Sequence, residues 1–231
     1  MTKNFSVGAL LLVFSLASSN VWASPDGAVV RGKVEVLEKG GAKRKQIENV
    51  LLYLDGVTGA SPSAPVNDGP PPTLTSRDKT FDPHALAVPV GTTVTFPNVD
   101  DIMHNVFSLS RGNRFDLGLY KSGARKDFVF DNPGLVRVYC NIHPQMSAFV
   151  HVLENPFYAW ARADGTFEIS NVPAGNYTLK VWSEEGETET SVRVAEGGAG
   201  GIVVQLDVSE YKKRPHLNKF GKPYKRKRGK Y

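Results

Sequence analysis

The stretch Val138-Tyr139-Cys140-Asn141-Ile142-His143-Pro144-Gln145-Met146 restricts this chain more than any other, because it joins the only cysteine to two further soft donors. A thiol, an imidazole and a thioether stand at Cys-x2-His-x2-Met spacing. The alternation in Leu135 to Cys140 puts Val136, Val138 and Cys140 on one face of a strand and Arg137 and Tyr139 on the other, so the thiol points inward. Past the strand end, Pro144 stiffens a tight loop that can turn His143 and Met146 back toward the sulfur. A fourth candidate, His104, lies upstream beside Asp100 and Asp101 and must come from the end of another strand. A metal held by all four would clip two distant parts of a β-sandwich together.

Donor softness selects the metal. Thiolate and thioether favour copper over calcium or magnesium, and two His, one Cys and a long axial Met is the type 1 copper arrangement. Two blander readings stay open at this point. Cys140 could be a small buried hydrophobe or pair with another chain. Met146 could be a plain core residue, which would leave a three-coordinate site.

The rest of the text is that of strands. With 22 Gly, 15 Pro, frequent Val/Thr/Phe alternation and no sustained 3.6-residue apolar period, the chain is expected to be all-β and built of sandwiches. One cysteine allows no internal disulfide, so packed sheets must supply the stability. Met1 to Ala23 has the charged start at Lys3, the apolar Val7 to Ala17 and the small-residue pattern Val21-Trp22-Ala23 of a cleaved signal peptide. An uncleaved anchor is the alternative. Export to a periplasm is the expectation.

Residues 28–57 offer two strands, Val29 to Leu37 and Val50 to Leu54, around the charged turn Glu38 to Lys45. Residues 58–72 are rich in Pro, Gly and Ser and end in three prolines, which suits a linker or long surface loop. Asn132-Pro133-Gly134 is a turn that feeds the chain into the Cys140 strand. His84 is read as a surface or edge residue and His151 as an outward-facing strand residue.

From 73 to 154 the order of phrases resembles the cupredoxins. Phe81-Asp82-Pro83, Val88-Pro89-Val90-Gly91-Thr92-Thr93-Val94-Thr95-Phe96-Pro97-Asn98, His104-Asn105-Val106-Phe107 and Cys140 to Met146 follow in the family's sequence. The short loop is similar to that of amicyanin, and the chain looks closer still to larger periplasmic cupredoxin-like proteins of methylamine-utilisation type. The resemblance implies a Greek-key sandwich with one type 1 copper on His104, Cys140, His143 and Met146. It also implies that Asn105 braces the cysteine loop and that electrons leave through His143 toward redox donor and acceptor proteins.

Beyond Asn155-Pro156 the text changes. Ala163-Asp164-Gly165-Thr166-Phe167-Glu168-Ile169 and Val172-Pro173-Ala174-Gly175-Asn176-Tyr177 resemble the carboxypeptidase-regulatory, transthyretin-like β-sandwiches, which carry no peptidase chemistry. Such modules open with a Gly-x-Val strand that 157–208 lacks and that Arg31-Gly32-Lys33-Val34 provides. The expectation is a split sandwich of 28–57 and 157–208 with the cupredoxin inserted. Three consecutive modules are the alternative.

The end of the chain, 209–231, differs again. Tyr211 to Tyr231 holds ten Lys/Arg and no acid, against a net charge of +5 for the whole chain, so the body before it is net acidic. A disordered tail is expected, with Lys225, Arg226, Lys227 and Arg228 meeting an anionic membrane surface or an acidic partner. Export argues against nucleic acid. A copper oxidase or nitrite reductase would need several more histidines for a second site. This chain has five in all, and the three outside the candidate set, His84, His151 and His216, form no His-x-His pair. No Ser-His-Asp, phosphate-loop or paired-His zinc pattern is present, so the expected role is not enzymatic. The same four residues would also suit copper capture and delivery, or a structural sandwich with a vestigial site.

Overall fold

The computed structural model describes residues 27–57, 71–213 and 215–224. The signal sequence read at 1–23, nearly all of the 58–72 linker, and Lys225, Arg226, Lys227 and Arg228 lie outside them. The described chain is all-β, as expected. It opens with β1 (Ala28–Leu37) and β2 (Leu51–Asp55). Nine strands follow: β3 (Thr75–Arg77), β4 (Thr80–Asp82), β5 (Ala85–Pro89), β6 (Thr92–Pro97), β7 (His104–Ser108), β8 (Phe115–Tyr120), β9 (Arg125–Phe130), β10 (Gly134–Cys140) and β11 (Ser147–Leu153). The last group is β12 (Tyr158–Trp160), β13 (Thr166–Val172), β14 (Gly175–Ser183), β15 (Gly186–Val194) and β16 (Ala199–Asp207). No helix among the described residues is long and apolar enough to cross a membrane.

The first and last groups interleave. One sheet runs β13-β1-β16 and the facing one β12-β2-β14-β15. Strand β1 alternates, sending Val30, Val34 and Val36 into a core shared with Leu52, Leu54, Phe167, Ile169, Leu179 and Leu206. At Gly32 a Cβ would collide with the carbonyl of Ile202 and lie 2.7 Å from the Phe167 ring, so only glycine lets β13 and β16 close on both sides of β1. Residues 28–57 thus supply a strand to each sheet that 157–208 needs.

Between them, β3–β11 build a second sandwich. Its main sheet runs β5-β11-β10-β7-β8, faced by the β6-β9 and β3-β4 pairs. Val94, Phe96, Val106, Phe115, Phe130, Val136, Val138 and Val150 fill its core together with Cys140 and Met146. Phe115 stacks on Phe128 at 4.3 Å, and Phe130 meets both edge-on.

The two sandwiches touch through a third apolar cluster of Leu51, Ala85, Phe149 and Trp182, with Tyr53, Ala87, Leu135, Tyr158 and Trp160 around it. Consequently β2 and β11 are covered on both faces. This corrects the outward placement expected for His151. It is 5 % exposed, with its ring 4.3 Å from Trp182 and 5.8 Å from Tyr53. Strand alternation puts it on the face opposite Val150 and Val152, and a second sandwich rather than water covers that face. His84 is half-buried and bonds Glu184 across the same junction at 2.7 Å.

Part of the tail that was expected to be disordered packs on the sandwiches. After β16 the described chain runs back over β10 as far as Tyr224 in place of standing free. Tyr211 donates to Glu184 Oε1 at 3.0 Å, and the His216 ring stacks flat on Tyr139 at 4.0 Å and 13°. The segment is too cationic to bury a core of its own. It uses an aromatic surface that the sandwich already presents.

Candidate metal centre

Strand ends bring the donors together. Strand β7 begins at His104 and pairs antiparallel with β10, with Cys140 opposite Val106, so the end of β10 lies beside the start of β7. The loop after Cys140 closes on itself: the Met146 N–H donates to the His143 carbonyl at 2.9 Å and the Cys140 N–H to the Met146 carbonyl at 3.2 Å. The Asn141 N–H donates to the Asn105 carbonyl at 2.9 Å, fastening the loop to β7.

His104, Cys140 and His143 present ligand atoms that all lie within 4.8 Å of one another. The Cys140 Sγ is 3.6 Å from His104 Nδ1 and 3.7 Å from His143 Nδ1, and the two Nδ1 atoms are 3.1 Å apart. The centre of that triangle is about 2.0 Å from each corner, close to the lengths of metal–imidazole and metal–thiolate bonds. Cys140 and His104 are fully buried, whereas His143 is half-buried. Met146, 0 % exposed, belongs to the same core cluster as Cys140. The donor set therefore fits a soft, tightly held metal ion.

Surrounding polar groups aim these donors. His104 Nε2–H donates to Asp100 Oδ2 at 2.7 Å, because a carboxylate can only accept. In the neutral ring the other nitrogen, Nδ1, then turns a lone pair into the triangle. Asp100 also accepts the N–H groups of Asp78 at 2.5 Å and Lys79 at 3.0 Å. Burial alone would raise its carboxyl, but the bonds from Lys79, His104 and Asp78 outweigh that and hold it below the usual range. The His143 imidazole is held below its ordinary value, chiefly by burial and then by His104 and Lys79. Both effects keep a nitrogen lone pair free for a metal.

Asn105 contributes in two ways. Its carbonyl braces the cysteine loop, while its side chain turns away and donates to Asp116 Oδ1 on β8 at 2.6 Å. Several neighbours of the site carried no signal in the sequence. Asp100 stood out only as a nearby acid. Asp116, Lys219 and Tyr224 come from separate segments: Lys219 Nζ pairs with Asp116 Oδ2 at 2.7 Å, and the Tyr224 hydroxyl donates to the Cys140 carbonyl at 3.0 Å. Burial, followed by the nearby Cys140 and Tyr139, pushes that hydroxyl up to about 12, so it stays a donor.

Known proteins offer partial likenesses. A family model, polysaccharide lyase family 4 domain II, matches residues 146–201, from the end of the donor loop into β16. No curated protein matches the chain. Among solved structures, a Cu-containing nitrite reductase from Thermus scotoductus SA-01 is 29 % identical over 38 % of this chain, with a TM-score of 0.36. This chain spans only 24 % of that enzyme's length. A purple cupredoxin from Nitrosopumilus maritimus is 22 % identical over 52 % of this chain and 99 % of its own, with a TM-score of 0.30. An amicyanin variant in its Cu(I) form is 21 % identical over 44 % of this chain and 98 % of its own, with a TM-score of 0.35.

Proposed function

We propose that this chain is a periplasmic one-electron carrier with a single type 1 copper held by His104, Cys140, His143 and Met146. The observation that carries this reading is the triangle of one sulfur and two imidazole nitrogens with sides of 3.1, 3.6 and 3.7 Å. Copper bound there would supply a one-electron couple. The protein's part is to fix the donors beforehand. Asp100 sets the His104 tautomer, the inward face of β10 keeps the Cys140 thiol dry, and the closed loop holds His143 and Met146 near it. Donors already in place need little rearrangement when charge changes, which favours rapid transfer.

His143 is the donor that reaches the surface, and Ile142 beside it is exposed, as are Ile102 and Met103 next to His104. An apolar rim around a half-buried ligand suits brief docking of a redox partner, with His143 as the electron exit. The cationic end of the chain, including Lys225, Arg226, Lys227 and Arg228, would add salt-dependent attraction to an acidic partner or anionic membrane surface.

The test is the visible and electron-paramagnetic-resonance spectrum of the mature protein with one equivalent of Cu(II), beside Cys140→Ser. An intense thiolate-to-copper band with a narrow hyperfine splitting, lost in the variant, is the expected result. A colourless protein, or a band indifferent to the substitution, would refute the proposal.

A further inference from the structure

We propose that the segment 215–224 is a working part of the metal centre, with Lys219 and Tyr224 as positioning residues that hold the Cys140–Met146 loop shut from outside. The inference rests on the reading that this loop holds copper, and it assigns a role to a stretch whose composition suggested a disordered tail.

Three contacts carry it, each to a different part of the site. The Tyr224 hydroxyl donates to the carbonyl of Cys140 itself at 3.0 Å. The Lys219 N–H donates to Asn141 Oδ1, one residue past the cysteine, at 3.1 Å. The Lys219 amine pairs with Asp116, whose other oxygen takes the side chain of Asn105, one residue past His104. One short segment therefore grips the chain next to both His104 and Cys140.

The segment is itself stiff enough to act as a clamp. Asn218 ties it into a knot: its N–H donates to the Lys222 carbonyl at 2.8 Å, its carbonyl accepts from Gly221 at 2.8 Å, and its Oδ1 accepts from Phe220 and Lys222 at 3.0 and 3.1 Å. Gly221 sits at φ 71°, a conformation natural to glycine. His216 anchors the other end, flat on Tyr139 and edge-on to Tyr224 at 5.2 Å. Tyr139 precedes Cys140 directly, so both ends of the clamp bear on the strand that carries the thiol.

The consequence is kinetic. From inside, the loop is closed by the Cys140–Met146 and Met146–His143 main-chain bonds and by Asn141 on Asn105. Swinging it open, to release an ion or admit a reagent to the sulfur, must also break the outer contacts. Such a clamp makes the site one that retains its metal rather than one that hands it on.

Cys140 is the only cysteine, so its reactivity reads loop opening directly. The experiment measures two rates in the full-length mature protein: alkylation of Cys140 in the metal-free form, and transfer of Cu(I) from the loaded form to a competing chelator. Tyr224→Phe keeps the ring and removes one hydrogen bond, which should speed both rates about fivefold. Lys219→Met should act in the same direction, Lys219→Arg should restore the original rates, and a chain ending at Glu210 should show the largest increase. The thiolate-to-copper band of Tyr224→Phe should shift as well, which a purely structural contact would not cause. Unchanged alkylation and release in both Tyr224→Phe and the shortened chain would overturn the clamp. Faster alkylation in a protein that never develops the thiolate-to-copper band would support the clamp while refuting the copper reading.

Discussion

Replacing His151 should make this protein less sensitive to mild acid. The imidazole is 5 % exposed, packed against Trp182 and Tyr53 and opposite Leu135 on β10, and its Nε2 has no hydrogen-bond partner among the described residues. Burial, with a smaller contribution from the Arg137 charge, depresses it from the ordinary 6.5 to about 4. Lys180, Glu187, Asp55 and Glu154 line the same crevice, but the first cause is burial. The sign follows from which state takes the proton. Well above pH 6.5 the ring is neutral whether folded or unfolded and contributes no pH dependence. As pH falls from 6.5 toward 4, the unfolded chain binds a proton that the folded one refuses, so stability drops. At pH 5 the loss from this single group is about 2 kcal/mol, approaching about 3 kcal/mol at pH 4. Urea unfolding of metal-free protein at pH 7, 6 and 5, in the original chain and in His151→Gln, isolates it, because every other titrating group is common to both. The readout is the difference in slope with pH, not the absolute stability, which also reflects lost packing on Trp182. Parallel stability curves for the two proteins between pH 7 and 5 would refute the reasoning.

Three other outcomes follow from the packing and the site. Asp100→Asn removes the carboxylate that fixes the His104 tautomer, and metal affinity measured by competition with a chelator should fall about 10- to 100-fold. Trp182→Ala empties the junction between the sandwiches, where the ring meets Phe149 and His151 edge-on, and should cost about 3–5 kcal/mol in denaturant unfolding. A fragment of residues 157–208 should stay unfolded by circular dichroism, because β1 lies between β13 and β16 and β2 between β12 and β14. A cooperative unfolding transition in that fragment would mean that the sheets close without β1 and β2.

Much of the site could be read from the chain because its information is local. Cys140, His143 and Met146 share one loop, and the period-2 pattern of β10 already turned Cys140 inward with Val136 and Val138. Gly32 and the Asp164-Gly165 turn marked the strands of the outer sandwich for equally local reasons: one position has no room for a side chain, and the other needs a positive φ, 86° at Gly165. His151 was misjudged because alternation says only that successive residues face opposite ways, not what covers each face. The packing of the tail's described part, 215–224, has no sign in its composition, because composition reports whether a segment can build its own core, not whether a neighbour offers a surface.

By itself, then, the sequence determined the all-β class and a loop with three soft donors, since each depends on residues a few positions apart. Tertiary structure decided the rest. It brought His104 to within 3.6 Å of the Cys140 sulfur, buried β11 on both sides, and returned Tyr224 to the Cys140 carbonyl. Those contacts join segments far apart in the chain, and their stability comes from surfaces that exist only after the sheets have packed. A contact of that kind imposes no period and no spacing on the residues that make it.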